Sequence, residues 1–115
     1  MRILIVDDHR PSVEVLRHVL ISRGHECACA DDVPGALESL QLFRPDAVIY
    51  EWNLRAGAGR GLAHRLRAAS TEFGAVPLII TISTLDEPTE FIRDEAVDAY
   101  MVKPFDLESL TCMLR

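Results

Sequence analysis

The sequence predicts an α/β domain in which a parallel, doubly wound sheet lies between two layers of helices. Two observations carry that prediction. Short apolar runs alternate along the chain with segments of helical periodicity, the pattern of repeated βα units. Most of the runs also lack the in-out alternation of a half-exposed strand, so both faces of the sheet must be covered. The right-handed crossover rule then arranges five such units as a three-layer (βα)5 sandwich.

The elements follow in order. Residues 3–6, ILIV, are an unbroken apolar strand. Pro11 suits the first turn of a helix in which Val13, Leu16, Val19 and Leu20 recur at helical spacing, and Gly24 is placed to end it. Glu26 to Ala30 reads as a second strand. Asp32 can cap a second helix carrying Ala36, Leu37, Leu40 and Phe43, which Pro45 stops. The third strand runs from Ala47 to Glu51. A loop with Gly57, Gly59 and Gly61 leads to a helix with Leu62, Leu66 and Ala69, and after Pro77 comes a fourth strand through Leu78, Ile79, Ile80 and Ile82. Residues 86–96 make a weaker helix, with Pro88 tolerable in its first turn. Ala99 to Val102 is the fifth strand and residues 107–114 a last helix.

A chain of 115 residues that is 49% hydrophobic and 26% charged suits one ordinary globular domain, so a single domain over 1–115 is expected. The formal net charge of -6, without a Lys or Arg stripe, disfavours direct nucleic-acid binding. No apolar stretch approaches the ~18 residues of a membrane span, and residues 3–6 are too short for a signal sequence, so a cytoplasmic location is expected. The three cysteines, Cys27, Cys29 and Cys112, read as reduced core residues. Cys27 and Cys29 share a strand face, but nothing nearby completes a metal site.

In an open α/β sheet the functional crevice lies beyond the carboxyl ends of the strands. Here those ends are polar. Strand one ends in Asp7 and Asp8, strand three in Glu51 with Asn53 two residues on, strand four near Thr81 to Thr84, and strand five in Lys103. Alone, Asp7 and Asp8 read equally well as helix-entry residues. Crowded with a third carboxylate they repel unless a cation lies among them, and Lys103 or a hard, oxygen-liganded ion such as Mg²⁺ answers that need. His9 is expected to face solvent. The RAGAGRG loop lacks the GK[ST] ending of a phosphate cradle and reads as a mobile turn. His18, His25 and His64 have no partners at metal-ligand spacing.

Three motifs together, ILIVDDH, PDAVIYEWNL and YMVKPF, make the whole chain resemble a response-regulator receiver domain. That family is flavodoxin-like, with strand order 2-1-3-4-5, and takes a phosphoryl group from a histidine kinase. The resemblance implies Mg²⁺ binding by Asp7, Asp8 and the backbone carbonyl of Asn53. It also implies a salt bridge from Lys103 to the phosphoacceptor, a cis peptide bond before Pro104, and an aromatic switch at Tyr100. The switch hydroxyl falls at Ile82 counting from Pro77 and at Thr81 counting from Lys103. Matching a hydroxyl followed by a small residue gives Ser83 and Thr84, and Ser83 is preferred.

The sequence departs from the family where it matters most. The phosphoacceptor aspartate is replaced by Glu51, whose extra methylene moves the carboxylate by ~1.5 Å. A misplacement near ~1 Å can cost about 10²-fold in rate, so ordinary phosphorylation is not expected. Residue 55, commonly proline in the family, is arginine. The expected function is an atypical receiver acting as a regulatory or protein-interaction module, with weak Mg²⁺ binding at most. Expected partners are a histidine kinase or other signalling protein, an output domain beyond Arg115, or a second copy of the chain in a homodimer. The competing readings are a Mg²⁺-dependent phosphotransfer or phosphatase enzyme on a similar scaffold, and a receiver phosphorylated at another residue such as Ser83.

Overall fold

The computed structural model describes residues 1–83, 96–103 and 107–114. The helix expected at 86–96 lies, except for Ala96, outside the described residues, as do Thr84 and the Pro104 peptide bond. The strands are β1 (Arg2–Val6), β2 (Glu26–Ala30), β3 (Ala47–Glu51), β4 (Leu78–Ser83) and β5 (Ala99–Val102). The helices are α1 (Arg10–Ser22), α2 (Val33–Phe43), α3 (Leu62–Ser70) and α4 (Leu107–Met113), with 3-10 turns at Arg55–Gly57 and Thr71–Phe73. All strand pairs are parallel and the order is β2-β1-β3-β4-β5, as the resemblance implies.

The missing alternation in the sequence now has its cause. β3 is the central strand, and every one of its residues is buried, Glu51 included. One core forms where Leu4, Val6, Val48, Tyr50 and Ile79 meet α2 and α3 through Ala36, Leu40, Leu62 and Leu66. The other forms where Ile3, Ile5, Ile49, Ile80, Ile82 and Met101 meet Val13 and Leu20 of α1 and Leu110 of α4. Each Leu or Ile buried there contributes ~1.5–3 kcal/mol relative to exposure, which makes these two layers the main support of the sheet.

Local signals set the ends of the elements. Asp32 caps α2 by accepting the Gly35 N–H at 2.7 Å, a contact of the kind worth about 1 kcal/mol. Arg44 closes the same helix in the left-handed region, with φ of 51°, just before Pro45. The cysteines depart from expectation: Cys27 is half-buried against the α1 side, whereas Cys29 and Cys112 are exposed. β2 is an edge strand, so its residues are covered less completely than those of β3.

Candidate functional site

The site is assembled by strand parity. Partners across a parallel pair point to the same face, and residues two apart on one strand share it. Ile5 pairs with Ile49, Glu51 with Ile82, and Ile82 with Met101. One step beyond those pairs, Asp7 and Lys103 come to the same side of the sheet as Glu51. Residues distant in sequence therefore meet at one strand-end corner above the α1 and α4 core.

Lys103 is the centre of this corner. Its Nζ lies 2.9 Å from Glu51 Oε2 and 4.0 Å from Asp7 Oδ2. The shorter contact is an ion pair without the alignment of a hydrogen bond. The Glu51 side chain is only 7% exposed and Lys103 is 33% exposed, so one ammonium group neutralises an almost fully buried carboxylate. Asp7 also accepts the His9 N–H at 2.9 Å. His9 itself is exposed, as expected, with Nδ1 2.7 Å from Ser12 Oγ.

Asp8 points to a different partner. Its Oδ2 accepts the backbone N–H of Arg55 at 3.0 Å, and Arg55 Nε approaches the same oxygen at 3.5 Å. Asp8, Arg55, Leu54 and Ala58 line a cleft of about 220 Å³ with Asp31 and Asp32 from the end of β2. The loop that carries Arg55 is held tightly. A Cβ at Gly59 would lie 2.2 Å from the Trp52 carbonyl oxygen and 2.8 Å from that of Glu51, so only glycine lets this loop pack on the backbone leaving β3. What the sequence suggested as a mobile turn begins as a 3-10 turn and ends at Gly61, which starts α3 with φ of 76°.

The candidate switch residues separate by face. Ile82 lies directly across from Glu51 and is 5% exposed. Thr81 pairs with Tyr50 and Tyr100, and its hydroxyl donates to the Tyr50 carbonyl at 3.3 Å. Ser83 pairs with Val102, which by alternation puts it on the Thr81 side rather than the Glu51 side. Its Oγ is buried and has no hydrogen-bond partner among the described residues. Tyr100 is half-buried against the α2 and α3 core, and Asn53 is exposed just after β3.

Comparison with known proteins decides the family. The family model described as "Response regulator receiver domain" matches residues 3–115. This chain belongs to the response-regulator receiver family. It is 32% identical over its whole length to response regulator MprA of Mycobacterium avium and to the MprA of Mycobacterium leprae, covering 50% of each. The chain thus spans about half the length of the curated relatives it matches. A CheY-like receiver domain from Methylobacillus flagellatus is 27% identical with a TM-score of 0.84, covering 99% of this chain and 95% of that one. A two-component response regulator from Clostridium difficile shares the fold, with a TM-score of 0.86 at 22% identity over 99% of this chain and 92% of the other.

The Mg²⁺ implied for receivers fits this donor set poorly. Asp7 faces an ammonium and a backbone N–H, and Asp8 faces a guanidinium and a second backbone N–H. Among the described residues no three His, Cys, Asp or Glu side chains group as ligands for one ion. The oxygens have the hardness Mg²⁺ requires, but cations of the protein already stand beside them. Sequence reasoning had flagged Arg55 only as a departure from proline; its contact with Asp8 spans 47 positions and carries no local signal.

Proposed function

We propose that this receiver is atypical: it is not phosphorylated in the ordinary way and serves two-component signalling as a regulatory or protein-interaction module. The observation that supports this most directly is the residue that ends β3: a glutamate, 7% exposed, held 2.9 Å from Lys103. Glu51 stands at the phosphoacceptor position and brings an extra methylene and a standing negative charge. The cross-strand register favours Ile82 over Ser83 as the position equivalent to the family's switch hydroxyl. An isoleucine there offers no hydroxyl to a phosphoryl oxygen, so the signal-reading half of the pocket is also absent. Ser83 remains a candidate only for a local structural role, and Tyr100 for the aromatic reporter of the output face.

The domain then works by binding rather than turnover. A ligand shifts a two-state protein only through its differential affinity for the two states, and a built-in Glu51–Lys103 pair biases the equilibrium without a removable signal. The partners in this reading are a histidine kinase or another signalling protein, an output domain in a longer regulator, or a second copy of the chain, in the cytoplasm. Mg²⁺ binding at Asp7, Asp8 and the Asn53 carbonyl is weak. Incubation with acetyl phosphate and Mg²⁺ followed by intact-mass measurement tests the reading. No phosphoryl adduct is expected. An adduct abolished by Glu51→Gln overturns the reading, and one that survives that change supports phosphorylation elsewhere.

A further inference from the structure

Residue 55 holds Asp8 in a way that a proline cannot. Proline has no N–H and no charge: the backbone donor to Asp8 Oδ2 at 3.0 Å needs a residue other than proline, and the Nε contact at 3.5 Å needs this arginine. The two contacts converge on one oxygen of the carboxylate that the resemblance assigns to a divalent ion. Asp8 is mostly buried, at 19% exposure, so its charge favours a nearby partner more than a fully solvated carboxylate would.

We infer that Arg55 is a tethered cation that competes with a divalent metal ion for Asp8, so that two protein cations offset two of the corner's three carboxylate charges without metal. The inference rests on the proposed assignment of Asp7 and Asp8 as the metal-side carboxylates. The arrangement divides the corner between two side chains: Lys103 serves Glu51 and Asp7, and Arg55 serves Asp8. A metal ion that takes Oδ2 of Asp8 must displace the guanidinium from it. The Arg55 side chain is 89% exposed, so it can swing away into water at modest cost. Metal binding is therefore weakened rather than abolished.

The competition makes a graded prediction. Arg55→Ala removes the guanidinium and keeps the N–H, whereas Arg55→Pro removes both. The proline is compatible with the backbone: Leu54 is extended, with ψ of 155°, as a residue before proline prefers, and residue 55 opens a 3-10 turn. Arg55→Lys keeps the charge. The experiment is a MgCl₂ titration of the whole chain at constant ionic strength, followed by the amide resonances of residues 7, 8 and 9, which every variant retains. Against the unaltered protein, Arg55→Ala should lower the midpoint by about two- to fivefold, the range of an exposed ion pair. Arg55→Pro should lower it further, by about tenfold. Arg55→Lys should stay near the unaltered value, and Arg23→Ala, at the far end of α1, should not move it. If Arg55→Ala and Arg55→Pro respond to Mg²⁺ no differently from the unaltered protein, or if Arg23→Ala produces the same gain, the inference is wrong. Phosphoryl labelling of the unaltered chain would refute the proposed function without moving these midpoints, so the two failures are distinguishable.

Discussion

Replacing Lys103 with methionine keeps the aliphatic stem and removes the only ammonium beside Glu51 among the described contacts. The cost follows from the geometry. Two unit charges 2.9 Å apart attract by about 6 kcal/mol at an effective dielectric near 20. Desolvation of both ions offsets much of that gain, and water reaches Lys103, which is a third exposed. Fully buried pairs lose ~3–5 kcal/mol when one partner is removed, so a loss of about 2–3 kcal/mol is expected here. For a domain of this size the midpoint of thermal unfolding should then fall by roughly 6–15 °C. Urea unfolding monitored by circular dichroism measures the change directly. Adding Glu51→Gln to Lys103→Met should recover at least ~1 kcal/mol, because the neutral amide no longer needs a cation. If Lys103→Met is within ~0.5 kcal/mol of the unaltered protein, or if the two substitutions are simply additive, the pair contributes nothing and the argument for a locked pocket fails.

Other outcomes test separate parts of the account. The double change Glu51→Asp with Ile82→Thr should permit phosphoryl labelling by acetyl phosphate more readily than Glu51→Asp alone; equal labelling would remove Ile82 from the switch position. Gly59→Ala should destabilise the fold by more than ~2 kcal/mol in urea, since the new Cβ meets backbone oxygens of Trp52 and Glu51 that cannot swing aside. Cys29 is exposed, yet partial burial pushes its thiol above the ordinary range, so iodoacetamide at neutral pH should modify it more slowly than a small free thiol, as mass spectrometry can follow. Burial, aided by the N-terminal ammonium and Arg23, lowers the pKa of His25. The folded state then binds fewer protons there than the unfolded state, so this contribution to stability is present above the unfolded pKa of ~6.5 and is lost as pH falls below it. His25→Gln should flatten that part of the pH profile, and an unchanged profile would show that His25 contributes none of it.

The features legible in the sequence were those written locally. β2, β3 and β5 fall at the boundaries that apolar runs and flanking breakers indicate, and Asp32 caps α2 as its position before the helix suggests. Asp7, Glu51 and Lys103 were also visible as a group, because each ends a strand and the fold class brings strand ends together. The rest depends on cross-strand register. Whether Thr81, Ile82 or Ser83 faces Glu51 is a one-residue question, and one residue reverses the face of a strand. Counting from Pro77 gave the register-matched Ile82, but a search for a hydroxyl favoured Ser83. The exposed cysteines illustrate the same limit: composition marks Cys as a burial-prone residue, and only the topology reveals that Cys29 lies on an edge strand.

The two ion pairs of the corner differ in their access to water, and that difference gives them unlike responses to ionic strength. Glu51 is 7% exposed, with the apolar Ile82 across from it, so mobile ions cannot gather closely around its contact with Lys103. The Arg55 guanidinium stands almost entirely in solvent, where the Debye length shrinks from ~10 Å at 0.1 M salt to ~3 Å at 1 M. Raising salt should therefore loosen the Arg55 contact first while the Glu51–Lys103 pair persists. The corner therefore holds two separate latches, an outer one that tracks the ionic composition of its surroundings and an inner one largely indifferent to it.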